Sequence, residues 1–256
     1  FYTISVKRMH NVRVRYGQHP FDFNEGVLSF LAPGQVFSVA VADETQPPEK
    51  SGWVVYFHPD LLWRTPLATS IRQHEFWDYS LTEALYLSAR EEATVLGLIQ
   101  AINQEYQANL DQFSKPILLA HLESLLRYAD RFYHRQFLTR EKANHEVLAR
   151  VEALLRAYFA GPDLAGRGLP TVQHVADSLH LSPKYLSSLL RVLTGQNTQQ
   201  HIHEHLLARA KEQLSATSLS VSEIAYQLGF EHLQSFSKLF KTKTGLSPLE
   251  FRASFN

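Results

Sequence analysis

The chain has 256 residues, 45% of them hydrophobic, enough for one large or two ordinary domains with real cores, and this excludes a disordered chain. Its 25 basic and 25 acidic residues cancel, so net charge favours neither a nucleic-acid nor a membrane partner and local distribution must decide. The absence of cysteine excludes disulfides, thiol nucleophiles and cysteine metal sites and fits a reducing cytoplasm. No apolar run approaches the roughly 20 residues that span a bilayer, and no signal-peptide pattern is visible. Phe1 is not an initiator methionine, so the chain is expected to begin inside a longer product.

Five short segments near the N-terminus are rich in β-branched and aromatic residues: 1–7 (FYTISVK), 12–16 (VRVRY), 27–31, 36–41 and 53–57 (WVVYF). Turn signals such as Asn24-Glu25-Gly26, Pro33-Gly34 and Pro47-Pro48 separate them. Regularly spaced short strands predict a barrel or sandwich. Residues 60–63 predict a helical turn, and 76–87 one more extended piece. The period then changes. Ser88 and Glu91 form a capping-box pattern, and a helix is expected to about Leu110 with Val95, Leu98, Ile99 and Ile102 inward. A second helix starts near Pro116 and carries Leu118, Leu122, Leu125, Ala129 and Phe132 at alternating spacings of four and three. This seam either packs on its own barrel or forms a helix-to-helix dimer interface. Leu119, Leu126 and Tyr133 supply a second stripe that can face the barrel, which favours the dimer.

A small barrel has a mouth where ligands bind, and the candidate lining residues are Tyr2, Tyr16, Phe23, Trp53, Tyr56 and His58. Aromatics at alternating strand positions are more commonly core side chains. A metal enzyme needs converging histidines, usually two at alternate positions of one strand, whereas His10, His19, His58 and His74 stand alone. No metal site and no cofactor are expected. His201, His203 and His205 do alternate, but within a predicted helix, where residues two apart point to different sides, so they read as a polar face.

A domain boundary is expected near Asn144. Beyond it Val147, Leu148, Val151, Leu154, Leu155, Tyr158 and Phe159 define an amphipathic helix, followed by a loop at Gly161-Pro162 and residues 166–170. Thr171 can cap the next helix. Further on, residues 220–252 read SVSEIAYQLGFEHLQSFSKLFKTKTGLSPLEFR. There Val221, Ile224, Ala225 and Leu228 recur at three and four, with Ser222 as the expected N-cap and Gly229 ending the pattern. A second helix follows with Phe236, Leu239 and Phe240 inward and Gln234, Ser237, Lys238 and Lys241 outward, until Gly245 and Ser247-Pro248. The pair reads either as a helix-turn-helix or as a plain helical hairpin with a solvated basic face. Repetition favours the former. VADSLHL from Val175 lies against IAYQLGF from Ile224, displaced by 49, and LSSLLRVLTG from Leu186 lies against FSKLFKTKTG from Phe236, displaced by 50. Between the copies, 198–216 is one helix with Ile202, Leu206, Ala210 and Leu214 on one side, about 28 Å long at 1.5 Å per residue. That suits two helices set against successive major-groove faces about 34 Å apart. From Asn144 onward eleven Lys or Arg face nine Asp or Glu, so the positive charge is local, at Lys184, Arg191, Arg209, Lys211, Lys238, Lys241 and Lys243.

Ala210-Lys211, SVSEIAYQLGF and SFSKLFKTKTGLSPLEFR resemble the AraC/XylS family of bacterial transcription regulators, over about the last 110 residues. GWVVYFHPDLL from Gly52 and RFYHRQF from Arg131 resemble one subgroup's sensor domain. The resemblance implies an α+β chain: an N-terminal cupin-like β-barrel with dimerisation helices over 1–143, expected to be truncated at its N-terminus, then an all-α DNA-binding domain over 144–256. That second domain is implied to have seven helices carrying two helix-turn-helix units joined by a long helix. By position it implies one recognition helix over 182–193, with Lys184, Ser187 and Ser188 at the bases, Arg191 at a phosphate and Ser182 among the DNA-binding residues. The other runs over 232–243, with Gln234, Ser237 and Lys238 in the groove, Lys241 at the backbone and His232 among the DNA-binding residues. The usual turn glycine is His180 in the first unit, which predicts a slightly altered turn. The implied partners are double-stranded DNA, a small-molecule effector, a second copy of the chain and RNA polymerase, with no membrane. The expectation is a cytoplasmic, non-enzymatic regulator. The competing readings are control by a protein partner or by abundance, and a barrel enzyme with a DNA-binding tail, for which no converging acid, base or metal set is found.

Overall fold

Ile4 and Val6 alternate with more polar neighbours along β1 (Tyr2–Met9), and this period-two pattern fixes which face of the first sheet is buried. The computed structural model describes residues 1–9, 14–16, 19–21, 26–35, 50–139, 141–161 and 164–255. They divide into two units, Phe1–Arg140 and Glu141–Asn256. In the first, β1 pairs antiparallel with β4 (Gly26–Leu31) on one side and β5 (Lys50–Phe57) on the other, while β6 (Leu85–Leu87) pairs with β4. The sheet order is β5-β1-β4-β6; β2 (Val14–Tyr16) and β3 (His19–Phe21) form a separate two-stranded ribbon. Ile4 stands opposite Phe30 and Val6 opposite Leu28, and all four are buried. The strand expected at 36–41 lies outside the described residues.

The barrel is corrected to an open antiparallel sheet among the described residues: β5 and β6 end it and do not pair with each other. The reason is local at β6. Its outer hydrogen-bonding groups are taken by side chains of α3 (Ser114–Thr139) instead of another strand. Tyr86 N–H donates to Gln136 Oε1 at 2.8 Å, Gln136 Nε2 donates to Ala84 O at 3.2 Å, and Arg135 Nη2 donates to Tyr86 O at 2.7 Å. Gln136 is 1% exposed, so its amide supplies the ladder bonds that a buried edge requires. The extended piece expected at 76–87 is strand only over its last three residues. The earlier part forms tight 3-10 turns that place Phe76 and Trp77 against Phe30, at ring-centroid distances of 4.2 and 5.3 Å. His74, one of the isolated histidines, is buried, with Nδ1 2.7 Å from Asp130 on α3. Ahead of these turns lie the 3-10 turn Pro59–Leu62, as expected, and a single helical turn, α1 (Leu67–Ser70).

α2 (Ala89–Gln107) begins at the predicted capping box of Ser88 and Glu91 and stops three residues short of Leu110. It packs against α3, which also packs against β6. Beyond the half-buried Leu118 and Leu119, both apolar stripes of α3 are therefore consumed within the unit. Leu122, Leu125, Ala129 and Phe132 are buried, and so are Leu126 and Tyr133. The expectation that the first of these stripes faces a partner is corrected accordingly.

The second unit is helical: α4 (Glu141–Ala160), α5 (Leu164–Arg167), α6 (Val172–Leu179), α7 (Pro183–Thr194), α8 (Thr198–Ala216), α9 (Val221–Gln227), α10 (Leu233–Thr244) and α11 (Pro248–Ala253). One core runs through it. Val151 and Leu155 of α4, Val175 of α6, Leu186 of α7, Ile224 of α9 and Phe236 and Phe240 of α10 all join the buried stripe of α8.

Arg135 also grips Glu91, with Nε at 2.9 Å from Oε1 and Nη2 at 2.8 Å from Oε2, while Glu91 accepts the Ser88 N–H at 2.9 Å. Burial alone would raise the Glu91 pKa, but the Ser88 and Arg135 hydrogen bonds outweigh it and hold the group below its ordinary 4.5. A carboxylate with a depressed folded-state pKa contributes stability above its unfolded value and loses it as pH falls through the folded value. Thermal unfolding of the chain and of Glu91→Gln from pH 7 to pH 3 should show a lower melting temperature for the variant at pH 7, with the gap closing below about pH 4.5.

Candidate nucleic-acid interface

Each copy of the repeat is built by the same local chemistry. Thr171 Oγ1 accepts the His174 N–H at 3.0 Å to start α6, and Ser220 Oγ accepts the Glu223 N–H at 3.2 Å to start α9. Ser220, not Ser222, is thus the N-cap. Both helices end in the same turn, in which Leu181 N–H returns to Ala176 O and Phe230 N–H to Ala225 O, each at 3.0 Å. The left-handed position is held by His180 at φ 58° in the first copy and by Gly229 at φ 85° in the second. The altered turn expected from His180 does not occur: the imidazole-bearing residue adopts the glycine conformation, at an intrinsic cost of about 1–2 kcal/mol.

The correspondence continues past the second helix of each pair. α7 and α10 both end at left-handed glycines, Gly195 and Gly245, whose N–H groups donate to Arg191 O and Lys241 O at 2.9 Å. Thr194 and Thr244 donate their hydroxyls to Leu190 O and Phe240 O at 2.8 Å. Capping boxes then open α8 at Asn197 and Gln200 and α11 at Ser247 and Glu250. Two equivalent helices, α7 and α10, are consequently presented from opposite ends of α8.

On α10, Gln234, Ser237, Lys238 and Lys241 recur at three and four and so share one face. Gln234, Lys238, Lys241 and His232 are exposed, Ser237 is half-buried, and Phe236 and Phe240 lie in the core. On α7, Lys184, Ser187, Ser188 and Arg191 take the equivalent places. Lys184 and Arg191 are exposed, but the two serines are not on the open side. Ser188 is 6% exposed, and the Ser187 hydroxyl lies 3.0 Å from that of Thr198. Pro248 replaces Thr198 in the second copy and offers Ser237 no such partner. Ser182 is occupied as the N-cap of α7, accepting the Tyr185 N–H at 3.2 Å.

Two of the cations singled out from sequence are engaged elsewhere. Arg209 Nη1 lies 2.6 Å from Glu212, and Lys211 Nζ lies 6.0 Å from the centre of the Phe251 ring. Lys243 faces α8 closely enough that its charge, added to burial as the larger cause, lowers the His203 pKa below 6.5. His201 and His205 do not form a solvated polar face. Their rings take opposite oxygens of Glu152 on α4, at 3.1 and 2.8 Å, and His201 also meets the Thr194 hydroxyl at 2.9 Å. Among the described residues no group of three or more His, Asp or Glu is placed to hold a metal.

Sequence reading missed Arg252, which donates to Leu214 O at 3.2 Å and Leu219 O at 2.6 Å and so fastens α11 to the end of α8. Its position in the repeat gave no signal, since Ile202 occupies the equivalent place.

The ligand candidates of the first unit separate. Trp53, Tyr56 and His58 line one groove of about 700 Å³ between β5 and the α2–α3 hairpin. Tyr2, half-buried, lines a different depression beside Pro59 and Trp63 and stacks on Phe57 at 5.1 Å. The side chain of Tyr16 and the whole of Phe23 lie outside the described residues.

Comparison with known proteins bears on the second unit. The family profile described as a helix-turn-helix domain matches residues 175–254. YijO of Escherichia coli K12, an uncharacterized HTH-type transcriptional regulator, is 24% identical over 231 residues, covering 90% of this chain and 77% of that protein. YfiF of Bacillus subtilis 168, of the same description, is 26% identical over 161 residues, 63% of this chain; the chain spans about half of that relative's length, 48%. A solved Chromobacterium violaceum transcriptional regulator, titled as containing an AraC-type DNA-binding domain, is 23% identical with a TM-score of 0.38, covering 44% of this chain and 96% of that one.

The turns that aim α7 and α10 give opposite expectations for two substitutions. Gly229→Ala should destabilise the chain by about 2 kcal/mol, because the left-handed conformation is strained for alanine and the new Cβ would stand 3.0 Å from Gly168 Cα and Leu164 O. His180→Gly should stabilise it by about 1 kcal/mol by relieving the same strain. Denaturant unfolding of both variants checks the pair.

Proposed function

The C-terminal domain of this chain belongs to the AraC-type helix-turn-helix family, and on that basis we propose that the chain is a sequence-specific DNA-binding transcriptional regulator. The observation that carries the reading is the duplicated unit: two helices preceded by the same turn and stopped by the same left-handed glycine, one before and one after a 19-residue helix about 28 Å long. Two such helices suit successive major-groove faces of one duplex, about 34 Å apart.

Phosphate contacts from Arg191 and Lys241 provide the salt-dependent part of the affinity. Gln234 suits an adenine edge, where its amide offers one donor and one acceptor, and Lys184 suits the two acceptors of guanine. Ser187 and Ser188 have no base-reading role in this scheme, because one hydroxyl is engaged by Thr198 and the other is buried. Ser237 lies on the reading face of α10 beside Gln234 and Lys238, and His232 stands at the start of that helix. The first unit acts as the controlling half: an effector bound there shifts the arrangement of DNA-binding domains in a homodimer, by no more than its differential affinity for the two states.

Two single substitutions test the groove assignment. Gln234→Ala should relax preference at one base position, worth about 1–3 kcal/mol of discrimination, with little change in salt dependence. Lys241→Ala should weaken binding to all sequences alike and reduce the salt slope by about 1. Binding selection from a random duplex pool, followed by salt titration on the winning site, measures both. Unchanged preference and unchanged slope in the two variants would refute the assignment.

A further inference from the structure

A row of polar atoms runs from the end of α7 through α8 to α4. Thr194 Oγ1 meets Leu190 O at 2.8 Å and His201 Nε2 at 2.9 Å, His201 Nδ1 meets Glu152 Oε1 at 3.1 Å, and His205 Nε2 meets Glu152 Oε2 at 2.8 Å. Thr194 is the last residue of α7, and its oxygen also accepts the Gln196 N–H at 3.2 Å. His201, at the centre of the row, is 5% exposed.

The number of hydrogens fixes the protonation state. Each of these four contacts needs one hydrogen between its two heavy atoms. Leu190 O and an ionised Glu152 only accept, while the threonine hydroxyl and each neutral imidazole bring a single hydrogen, which leaves one contact unfilled. The missing hydrogen is an added proton. Imidazole is more basic than a carboxylate, so the proton sits on His201, where the adjoining Glu152 compensates its buried charge. Without it, one contact sets lone pair against lone pair, whichever way the Thr194 hydroxyl turns.

The second helix pair has no such row. Thr244 repeats the bond to Phe240 O at 2.8 Å, but Phe251 stands in the place of His201. Other charges lie within about a turn of the row on the same helices. Arg156 on α4 and Arg191 on α7 are exposed, Glu204 accepts from Gln196 at 2.6 Å, and Arg209 pairs with Glu212 at 2.6 Å. α6, which also packs on α4 and α8, sets His174 against the Tyr158 ring.

We propose that the row is a proton-dependent clamp on the first helix pair alone, in which protonated His201 ties α7 and α8 to α4 and its deprotonation loosens the end of α7 while leaving α10 unaffected. The folded state holds this proton, so the tie is present at low pH and is lost as pH rises through the range in which imidazole titrates. Its consequence for DNA, a first recognition helix held firmly only while the proton is bound, rests on the regulator reading. His201 is thus a positioning residue for α7.

Nitrogen–proton correlation spectra of the imidazoles in the full chain, from about pH 5.5 to about pH 8.5, read the proton directly. Both His201 nitrogens should carry hydrogen at the acid end and only one at the alkaline end. Hydrogen exchange, corrected for the intrinsic rate at each pH, should show protection in α7 falling about tenfold between about pH 6 and about pH 8, with α10 level. Glu152→Gln supplies the fourth hydrogen permanently, since its amide donates to His201 Nδ1 and its carbonyl accepts from His205. In that variant His201 should stay singly protonated and α7 should keep its protection at both pH values. A singly protonated His201 throughout in the parent chain, equal changes in α7 and α10, or a Glu152→Gln variant with the parental pH response overturns the proposal. These measurements use no DNA, so their failure removes the clamp and leaves the regulator reading standing, whereas absence of duplex-DNA binding by the same preparation removes that reading and leaves the clamp.

Discussion

The burial of a single stripe of α8 is the constraint on which the second unit depends. Ile202, Leu206, Ala210 and Leu214 are each 1% exposed or less, and they lie in one cluster with residues of both helix pairs. Each of the three large side chains contributes about 1.5–3 kcal/mol by leaving water. Because the stripe belongs to one rigid helix, neither pair has a core of its own to fold around. α6 and α7 complete the N-terminal part of the stripe together with α4, and α9 and α11 complete the C-terminal part. The separation of α7 from α10 is therefore set by the length of α8, not by a linker.

Polar ties hold that frame in register at both ends. The Glu152 carboxylate is shared between His201 and His205, one turn apart on α8, which fixes the rotation of α4 about the helix. At the other end the Arg252 guanidinium satisfies the carbonyl of Leu214, one of the orphan acceptors at the end of α8. Both ties use side chains directed inward from faces that periodicity marks as polar. The faces that α7 and α10 expose are unequal. α10 presents Gln234, Lys238 and Lys241, whereas α7 presents Lys184 and Arg191, with Ser187 tied to Thr198.

The first unit shows the same economy with different parts. Arg135 and Gln136, neighbours on α3, supply the hydrogen bonds that a further strand would otherwise give to β6. Arg135 simultaneously pairs with the capping carboxylate of α2. Sheet edge, helix start and helix packing are thus coupled through two adjacent side chains. The α2–α3 hairpin is held against the sheet at that end, and the groove opens beside β5 at the other.

What the sequence determined unaided was whatever is decided within a few residues or by repetition. The capping boxes at Ser88, the start of α8, the glycine stops at Gly195 and Gly245, and the inward faces of α9 and α10 are local hydrogen-bonding and periodicity effects. The displacements of 49 and then 50 residues exposed the duplicated unit, whose two turns and two glycine stops repeat the same backbone hydrogen bonds. Only the tertiary structure decided the matters that turn on what lies opposite a residue. Spacing could not tell an edge strand capped by Gln136 from one that continues into a barrel, or a seam on α3 that meets α2 from one that meets another chain. The family resemblance set Ser187 at the bases and the alternating histidines read as a polar face, yet Thr198 lies across from Ser187 and Glu152 across from His201. Periodicity fixes the direction in which a side chain leaves its own helix. The partner it meets is set by the packing of helices far apart in the chain.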